Sequence, residues 1–153
     1  MDESLRQVIF ETFSDVFEKM FFTFLEPLSA VPASEQVGDA GKFILAEISY
    51  SGGNNGNFCF YFPWELAKNI TINFLGVEDE DVKLSQIADT AAETANMAIG
   101  SLLGKLDPKG QSSLAIPKAR ELVDFAPVSL SADAETCMFN TEFGILYVKG
   151  RHE

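Results

Sequence analysis

The sequence has little histidine, cysteine or basic charge, and each shortage excludes a class of chemistry. His152 is the only histidine among 153 residues and lies next to the C-terminus. A Ser-His-Asp triad and a histidine-ligated zinc site are therefore excluded. The two cysteines, Cys59 and Cys137, both lie in apolar alternating segments. Such cysteines are usually small buried hydrophobic residues in a reduced protein, although two cysteines leave one disulfide open.

The charge balance is strongly acidic. Eleven Lys and Arg residues against 23 Asp and Glu residues give a net charge of −12. An acidic surface repels nucleic-acid phosphates and anionic lipids, so we expect neither a nucleic-acid nor a membrane partner. No run approaches the roughly 18 apolar residues of a membrane helix, and the start, Met-Asp-Glu-Ser, lacks the basic character of a secretory signal. We therefore expect a cytoplasmic protein.

The length and the local patterns predict one α+β domain spanning residues 1–153. A chain of this size can bury a core without metal or disulfide, and periodicity assigns its elements. Residues 27–41 are predicted to be a loop, and the turns of two hairpins fall at 51–56 and 140–142. Four acidic residues, 78–81, are expected to favour the dipole of the helix that follows rather than to bind calcium. The expected helices cover 4–25, 64–75 and 84–106, and the expected strands cover 42–50, 57–62, 112–116, 120–125, 135–139 and 143–149.

The helix predicted at 84–106 has two contrasting faces. At about 100° per residue, one side is apolar and is assigned to the core. The opposite side forms an outward stripe on which Glu93 and Asn96, three residues apart, are neighbours. The core side contains Leu84, Ile87, Ala91, Ala95, Ala98, Ile99, Leu102 and Leu106, and the outward stripe contains Asp89, Glu93, Asn96, Met97, Gly100 and Gly104.

The outward stripe is unusual for the surface of an acidic protein. Its centre carries only two charges, Asp89 and Glu93, and Met97 places an adaptable apolar side chain beside Asn96. Each glycine costs about 1 kcal/mol relative to alanine inside a helix, a sacrifice usually made for close approach of another surface. Either a partner docks here, or the surface is lightly decorated and the glycines pack on the same chain. An isolated E-x-x-N is weak evidence.

A longer pattern resembles a known family. Residues 93–100, E-T-A-N-M-A-I-G, are similar to the signature helix of the chemotaxis phosphatase CheX-like family. The same order holds on both sides, from S-G-G at 51–53 and N-F-C-F-Y-F-P at 57–63 to L-A-I-P at 114–117. The resemblance spans about residues 4–149. It departs at 11–14, where E-T-F-S occupies the place of a second E-x-x-N in the related CheC proteins, so it implies one site per subunit.

The resemblance implies a function and a role for each stripe residue. The family hydrolyses the aspartyl-phosphate on a CheY-type response regulator, which itself supplies Mg²⁺ and a lysine. Asn96 would position the attacking water and Glu93 would pair with the regulator's lysine. Asp89, Met97 and Gly100 would contact the regulator, and the chain would need no cofactor of its own.

The resemblance also implies a homodimer formed through the sheet. The closing strand at 143–148, with apolar residues on both faces, is the expected uncovered edge. A noncatalytic CheX-like adaptor, or a relative of the flagellar switch proteins that binds a regulator without dephosphorylating it, is the alternative function. The presence of both Glu93 and Asn96 favours the enzyme.

Overall fold

Helices cover one face of a seven-stranded sheet in the computed structural model, which describes residues 1–28 and 40–153. The predicted segment 64–75 and the predicted segment 84–106 are confirmed as helices with the same bounds. The elements are α1 (Glu3–Phe21), β1 (Glu26–Leu28), β2 (Gly41–Ser51), β3 (Gly56–Pro63), α2 (Trp64–Leu75), a 3₁₀ turn (Asp79–Asp81), α3 (Leu84–Leu106), β4 (Ser113–Leu114), β5 (Lys118–Phe125), α4 (Val128–Ser131), β6 (Thr136–Thr141) and β7 (Gly144–His152).

The strands lie in the order β1-β6-β7-β3-β2-β4, and β5 also pairs with β2. Every pair is antiparallel. The first half of β2 pairs with β5 and its last two residues pair with β4, so the strand predicted at 112–116 is only two residues long. Because β7 lies between β6 and β3, the expectation that the closing strand is an uncovered edge is wrong. The edges are β1 on one side and β4 with β5 on the other.

The main core lies between the sheet and the three long helices. The aromatic face of α1 packs here: Phe13 lies 5.4 Å from Phe60 and 6.2 Å from Phe139 between ring centroids. Fully burying each such side chain contributes roughly 1.5–3 kcal/mol relative to leaving it exposed. A smaller cluster covers part of the other face of the sheet, and it contains Phe43, Leu130, Met138, Ile145 and Tyr147. The result is an α+β domain.

Helix α1 ends four residues earlier than the predicted position 25. Phe22 adopts a left-handed conformation with φ of 53°, and the N–H of Thr23 donates to the carbonyl of Phe17. This cap turns the chain away from the helix axis. Phe24, which lies within the helix predicted at 4–25, is consequently outside the helix and 71% exposed.

The two hairpins are confirmed, with one change of turn. In the second hairpin, β6 continues to Thr141 and the turn shifts to residues 142–143. The Thr141 hydroxyl accepts from the N–H of Phe143 and donates to the carbonyl of Gly144, which has a φ of 110°. These bonds hold a tight turn that residue preferences alone do not specify.

The two cysteines are both free and lie on opposite faces of the sheet. Cys137 belongs to the main core, whereas Cys59 pairs in register with Lys149 on the other face. This placement closes the disulfide alternative that the sequence left open. Burial raises the pKa of both thiols, so they behave as neutral side chains.

The structure bears on two expectations about the connecting segments. Of the loop predicted at 27–41, the first residues belong to β1, the last belongs to β2, and 29–39 lie outside the described residues. The acidic run forms its own 3₁₀ turn, and Asp79 pairs with Lys68 at 2.7 Å. It precedes α3 and does not lie in its first turn, so the interaction with the helix dipole stays a prediction. None of the described helices is both long and apolar enough to span a membrane.

Candidate functional site

Helix α3 is fixed at both ends by local hydrogen bonds. At its start, the Gln86 side chain accepts from the backbone N–H of Lys83 at 2.9 Å. At its end, the Asp107 N–H donates to the carbonyl of Leu103, and the Asp107 carboxylate accepts from the N–H of Ser112 at 2.6 Å. This second bond lowers the pKa of Asp107. Both ends of α3 are thus held by local hydrogen bonds, and the helical periodicity between them decides which side chains face outward.

The buried face of α3 matches the prediction in its middle and differs at its ends. Leu84 is 47% exposed because it is the first helical residue and extends past the packed region, and Leu106 is only partly buried. Thr90 and Thr94 are also buried, and the Thr94 hydroxyl is satisfied because it donates to the Thr90 carbonyl at 2.7 Å. The buried residues are Ile87, Thr90, Ala91, Thr94, Ala95, Ala98, Ile99, Leu102 and Leu103.

The outward stripe presents a carboxylate and an amide together. Asp89 and Glu93 are exposed and Asn96 is partly exposed. Asn96 follows Glu93 by three residues, which places the two side chains on one face about one turn apart. Neither makes a hydrogen bond or ion pair with another described residue. Both functional groups are therefore available to a second molecule.

Met97 is less exposed than the sequence predicted. Its side chain is partly buried and packs against the main core. Met97 therefore does not project from the helix as a fully exposed apolar side chain. The part of its side chain that stays exposed can still contact a partner.

The two stripe glycines are not required by packing within the described chain. A Cβ at Gly100 would lie 3.7 Å from Leu114 Cδ1, an ordinary van der Waals distance, and a Cβ at Gly104 would meet no described atom within 4 Å. Gly100 therefore lies beside Leu114 of the same chain, as one alternative held, although an alanine would fit there, whereas a Cβ at Gly104 would contact no described residue. Their missing side chains leave room above the helix for another surface.

One neighbour of the stripe from another element was not predicted. Leu114 reaches Gly100 from β4, and the N–H of Ala115 holds this segment to the carbonyl of Ser49 at 2.8 Å. Ile116, two residues after Leu114, is 86% exposed. The L-A-I-P motif at 114–117 was the available signal. The contact of Leu114 with Gly100 depends on tertiary packing, which the motif does not encode.

The corresponding segment of α1 is arranged differently. The carboxylate of Glu11 accepts a hydrogen bond from the side chain of Gln7 at 2.8 Å. The Ser14 hydroxyl is buried and has no hydrogen-bond partner. Glu11 is nevertheless exposed, as Glu93 is, so the two helices differ at the third position, where α1 has a buried hydroxyl in place of an accessible amide. One site per subunit stays a prediction.

The stripe is a helix surface and not a pocket. Two cavities, of about 470 and 480 Å³, have no lining residue from α3. In residues 1–28 and 40–153, no three His, Cys, Asp or Glu side chains are grouped so that they could hold a metal ion. An exposed helix face with an unpaired carboxylate and amide suits a protein partner, because only a complementary surface can enclose the two groups.

Comparison with known families places these features in context. The family model described as chemotaxis phosphatase CheX matches residues 44–139, which include the outward stripe and more than half of the chain. The chain belongs to the CheX family. The match includes Glu93 and Asn96 but ends before β7, and it begins after α1.

Solved structures with the same fold cover nearly the whole chain. A CheC-like superfamily protein from Shewanella sp. PV-4 is 18% identical with a TM-score of 0.74, covering 100% of this chain and 99% of that one. The chemotaxis protein CheX from Desulfovibrio desulfuricans is 17% identical with a TM-score of 0.71, covering 98% and 99%. CheX in a CheX-CheY-BeF₃-Mg²⁺ complex from Borrelia burgdorferi is 15% identical with a TM-score of 0.65, covering 96% of each chain. No curated protein matches this sequence.

Proposed function

We propose that this CheX-family protein accelerates hydrolysis of the aspartyl-phosphate on a CheY-type receiver domain. The observation that carries the proposal is the pairing on α3 of an exposed carboxylate, Glu93, with an accessible amide, Asn96. Both groups lack a partner among the described residues. A second support is that the Borrelia burgdorferi CheX of the same fold was crystallised with CheY, BeF₃ and Mg²⁺.

Asn96 is proposed to position the attacking water. Hydrolysis requires a water in line with the P–O bond and stabilisation of negative charge on the equatorial oxygens. The amide oxygen of asparagine accepts from the water while its NH₂ group donates, and it carries no charge that would repel the phosphoryl group. A carboxylate in this position would repel the phosphoryl group.

Glu93 is proposed to dock the helix on the receiver domain through its active-site lysine. An exposed ion pair contributes only about 0–1 kcal/mol, but a pair that is desolvated at an interface contributes more. Asp89 and Met97 border this contact, and Gly100 allows the receiver backbone to approach. Ile116, exposed two residues after Leu114, is proposed to add an apolar contact.

The Mg²⁺ of the reaction is proposed to come with the regulator. The regulator's Mg²⁺ and lysine would neutralise the charge on the phosphoryl oxygens, and α3 would add only the amide that positions the water. We propose that the reaction takes place in the cytoplasm, where response regulators act.

A homodimer through the sheet is proposed, with β5 as the contact strand in place of β7. Strand β5 pairs with β2 on one side, and Val123 on it is 68% exposed. An edge of eight residues can extend the sheet into a second copy. Light scattering is expected to give about twice 16.8 kDa, and a particle of 16.8 kDa would contradict the dimer.

Phosphate release from a panel of phosphorylated receiver domains tests the function. At least one receiver domain is expected to lose phosphate faster with the protein present than with buffer alone. Binding to a beryllofluoride-activated receiver without faster phosphate release would show a noncatalytic adaptor instead. If no receiver domain in the panel binds the protein or loses phosphate faster, the proposed partner class is contradicted.

A further inference from the structure

One of the two cavities outside the α3 stripe lies where the chain leaves α1 and enters β1. Its volume is about 480 Å³, and it is lined by residues 22–26 and 140–143. Phe22 and Phe24, which belong to this lining, are 74% and 71% exposed. They are the most exposed aromatic side chains in the described part of the chain. Both rings are therefore available to another molecule.

Exposed apolar side chains are concentrated at this end of the protein. Residues 20–24 and 74–75 contain five of the nine large apolar residues that are exposed in the described chain. The ends of α1 and α2 are joined here, since the amide of Asn73 donates to the Phe21 carbonyl at 2.8 Å and the rings of Phe21 and Phe74 lie 5.6 Å apart. Single exposed apolar residues are ordinary, whereas a group of them is typical of a surface that binds a partner.

The backbone at Phe22 is a separate reason to expect a role in binding. Phe22 directly follows the last residue of α1 and has a φ of 53°. Glycine or asparagine usually occupies this left-handed position, because a bulky side chain is strained there. Strained residues are concentrated at binding and catalytic sites. Phe22 combines the strain with an exposed ring, which favours a role in binding over a role in folding.

Two carboxylates in the same lining indicate the charge of the partner. Glu26 and Glu142 are both exposed, and neither makes an ion pair with a described residue. The described residues that line the cavity include no lysine or arginine. Phe24 and Glu26 share one side of the chain, because the residues that alternate with them, at 23 and 25, are buried. A ring and a carboxylate on one side attract a cation with an apolar stem.

We propose that Phe22, Phe24, Glu26 and Glu142 form a docking surface for a basic, apolar segment of a partner protein. The rings contact apolar side chains and the stem of an arginine or lysine, and the carboxylates pair with its charge. Charge complementarity favours this occupant. A second copy would bring the same carboxylates together in a two-fold contact, and an anionic membrane would be repelled by them. The proposal does not depend on the proposed phosphatase function.

Three peptides of one length test the docking surface in the full-length protein, without any receiver domain. They are amphipathic helical peptides of leucine and arginine, of serine and arginine, and of leucine and glutamate, and fluorescence anisotropy measures their binding at physiological ionic strength. The leucine–arginine peptide is expected to bind about tenfold more tightly than either of the others, because only it satisfies both the rings and the carboxylates. Equal binding of the serine–arginine peptide or of the leucine–glutamate peptide would overturn the proposal.

Removal of the two rings locates the binding on the chain. Phe22→Asn introduces a residue suited to the left-handed position, and Phe24→Ser removes an exposed ring, so the melting temperature of the double variant is not expected to fall. Its affinity for the leucine–arginine peptide is expected to fall about tenfold or more. Val128→Ser, at an exposed position on α4, is the matched control with unchanged affinity. Wild-type affinity in the double variant would overturn the proposal.

Neutralisation of the two glutamates tests the charge of the docking surface. Glu26→Gln combined with Glu142→Gln is expected to weaken binding of the leucine–arginine peptide several-fold. Glu65→Gln combined with Glu80→Gln makes the same change of net charge at two exposed residues outside the cavity, and is expected to leave the affinity nearly unchanged. Equal losses in the two double variants would assign the attraction to the net charge of −12 and overturn the proposal.

Two further measurements test the other occupants of this surface. Light scattering is expected to give the same mass for the wild type and for the variant that combines Phe22→Asn with Phe24→Ser. A lower mass in the variant would assign the surface to a contact between copies and overturn the proposal. The wild type is not expected to sediment with vesicles of phosphatidylcholine and phosphatidylglycerol. Vesicle binding that the variant loses would assign the surface to lipid and likewise overturn the proposal.

Discussion

Two helices of this protein carry a glutamate followed three residues later by a polar side chain, and they present these groups differently. On α3, Glu93 is exposed and Asn96 is partly exposed, and neither has a partner among the described residues. On α1, Glu11 is hydrogen-bonded by Gln7 and the Ser14 hydroxyl is buried. Both glutamates are exposed, so the two helices differ at the third position, where only α3 has an accessible amide. The proposed site depends on that amide.

The largest expected effect is that of Asn96→Ala on catalysis. Because Asn96 is partly exposed, its truncation leaves no cavity in the core, so folding and receiver binding should be nearly unchanged. Loss of water positioning should lower kcat by about 100-fold or more. Phosphate release under saturating receiver domain measures this effect.

Ser14→Ala on α1 is the matched control for Asn96→Ala. It removes a buried hydroxyl without a partner, so activity should remain at the wild-type level and the melting temperature should not fall. If Ser14→Ala lost as much activity as Asn96→Ala, the proposal that only α3 contributes to catalysis would be contradicted.

Charge reversal at Glu93 is expected to have the next largest effect. Glu93→Lys opposes the receiver's lysine with like charge, whereas Glu93→Gln removes the attraction and keeps a hydrogen-bonding group. The value of kcat/KM should fall about tenfold or more for lysine and less for glutamine. Glu11→Lys is the control on α1 and should leave kcat/KM unchanged. Equal values for the two Glu93 variants would exclude the charge pairing.

Asparagine at position 14 sharpens the comparison by restoring the E-x-x-N spacing on α1. The Ser14 hydroxyl is buried, so a larger amide must displace packed neighbours. We expect Ser14→Asn to lower the free energy of unfolding by about 1–3 kcal/mol and to add no phosphatase activity. Denaturant unfolding measures the first effect, and activity of Ser14→Asn combined with Asn96→Ala measures the second. Recovered activity in the double variant would show that spacing is sufficient.

Sequence and structure agree best for features that depend on the local pattern of a single helix. The bounds of α3 were predictable because its apolar repeat is long and regular. Leu84 was misplaced because periodicity does not show where the packed partner ends. Thr94 was missed because a threonine that donates to the preceding turn can be buried, although it counts as polar in a helical pattern.

Features that depend on several elements were not predictable from local patterns. The central position of β7 follows from strand order, which residue alternation does not encode. Leu114 could be recognised as a neighbour of the stripe only once packing placed it beside Gly100. The site residues themselves came from the resemblance to the CheX-like family, and the structure adds their exposure.

Ile116→Ser should have a smaller effect that is confined to binding. Its side chain is 86% exposed, so the melting temperature should change little. Loss of one apolar contact should raise KM for the receiver domain a few-fold while kcat stays unchanged. Val128→Ser, at a 62% exposed position on α4, is the control. A fall in kcat with unchanged KM would contradict a purely docking role for Ile116.

The smallest expected effect concerns acid stability at the C-terminal end of α3. Hydrogen bonds from Ser112 lower the pKa of Asp107, so its charged form stabilises the folded protein at pH values above its unfolded pKa of about 4. That contribution is lost as the pH falls through the lowered folded pKa. The stability difference between wild type and Asp107→Asn should therefore shrink as the pH drops below about 4. If the stability difference does not change with pH, the charge of Asp107 does not contribute to the stability of the folded protein.

The most direct test of the central claim is to follow the side-chain amide of Asn96 by nuclear magnetic resonance. Nitrogen-labelled protein is titrated with the beryllofluoride-activated form of a receiver domain that it dephosphorylates. The account predicts that the Asn96 amide signals shift or broaden, while those of Asn73, whose amide donates to the Phe21 carbonyl, stay unchanged. An unchanged Asn96 signal, with perturbations confined to α1, would contradict the assignment of the α3 stripe as the site.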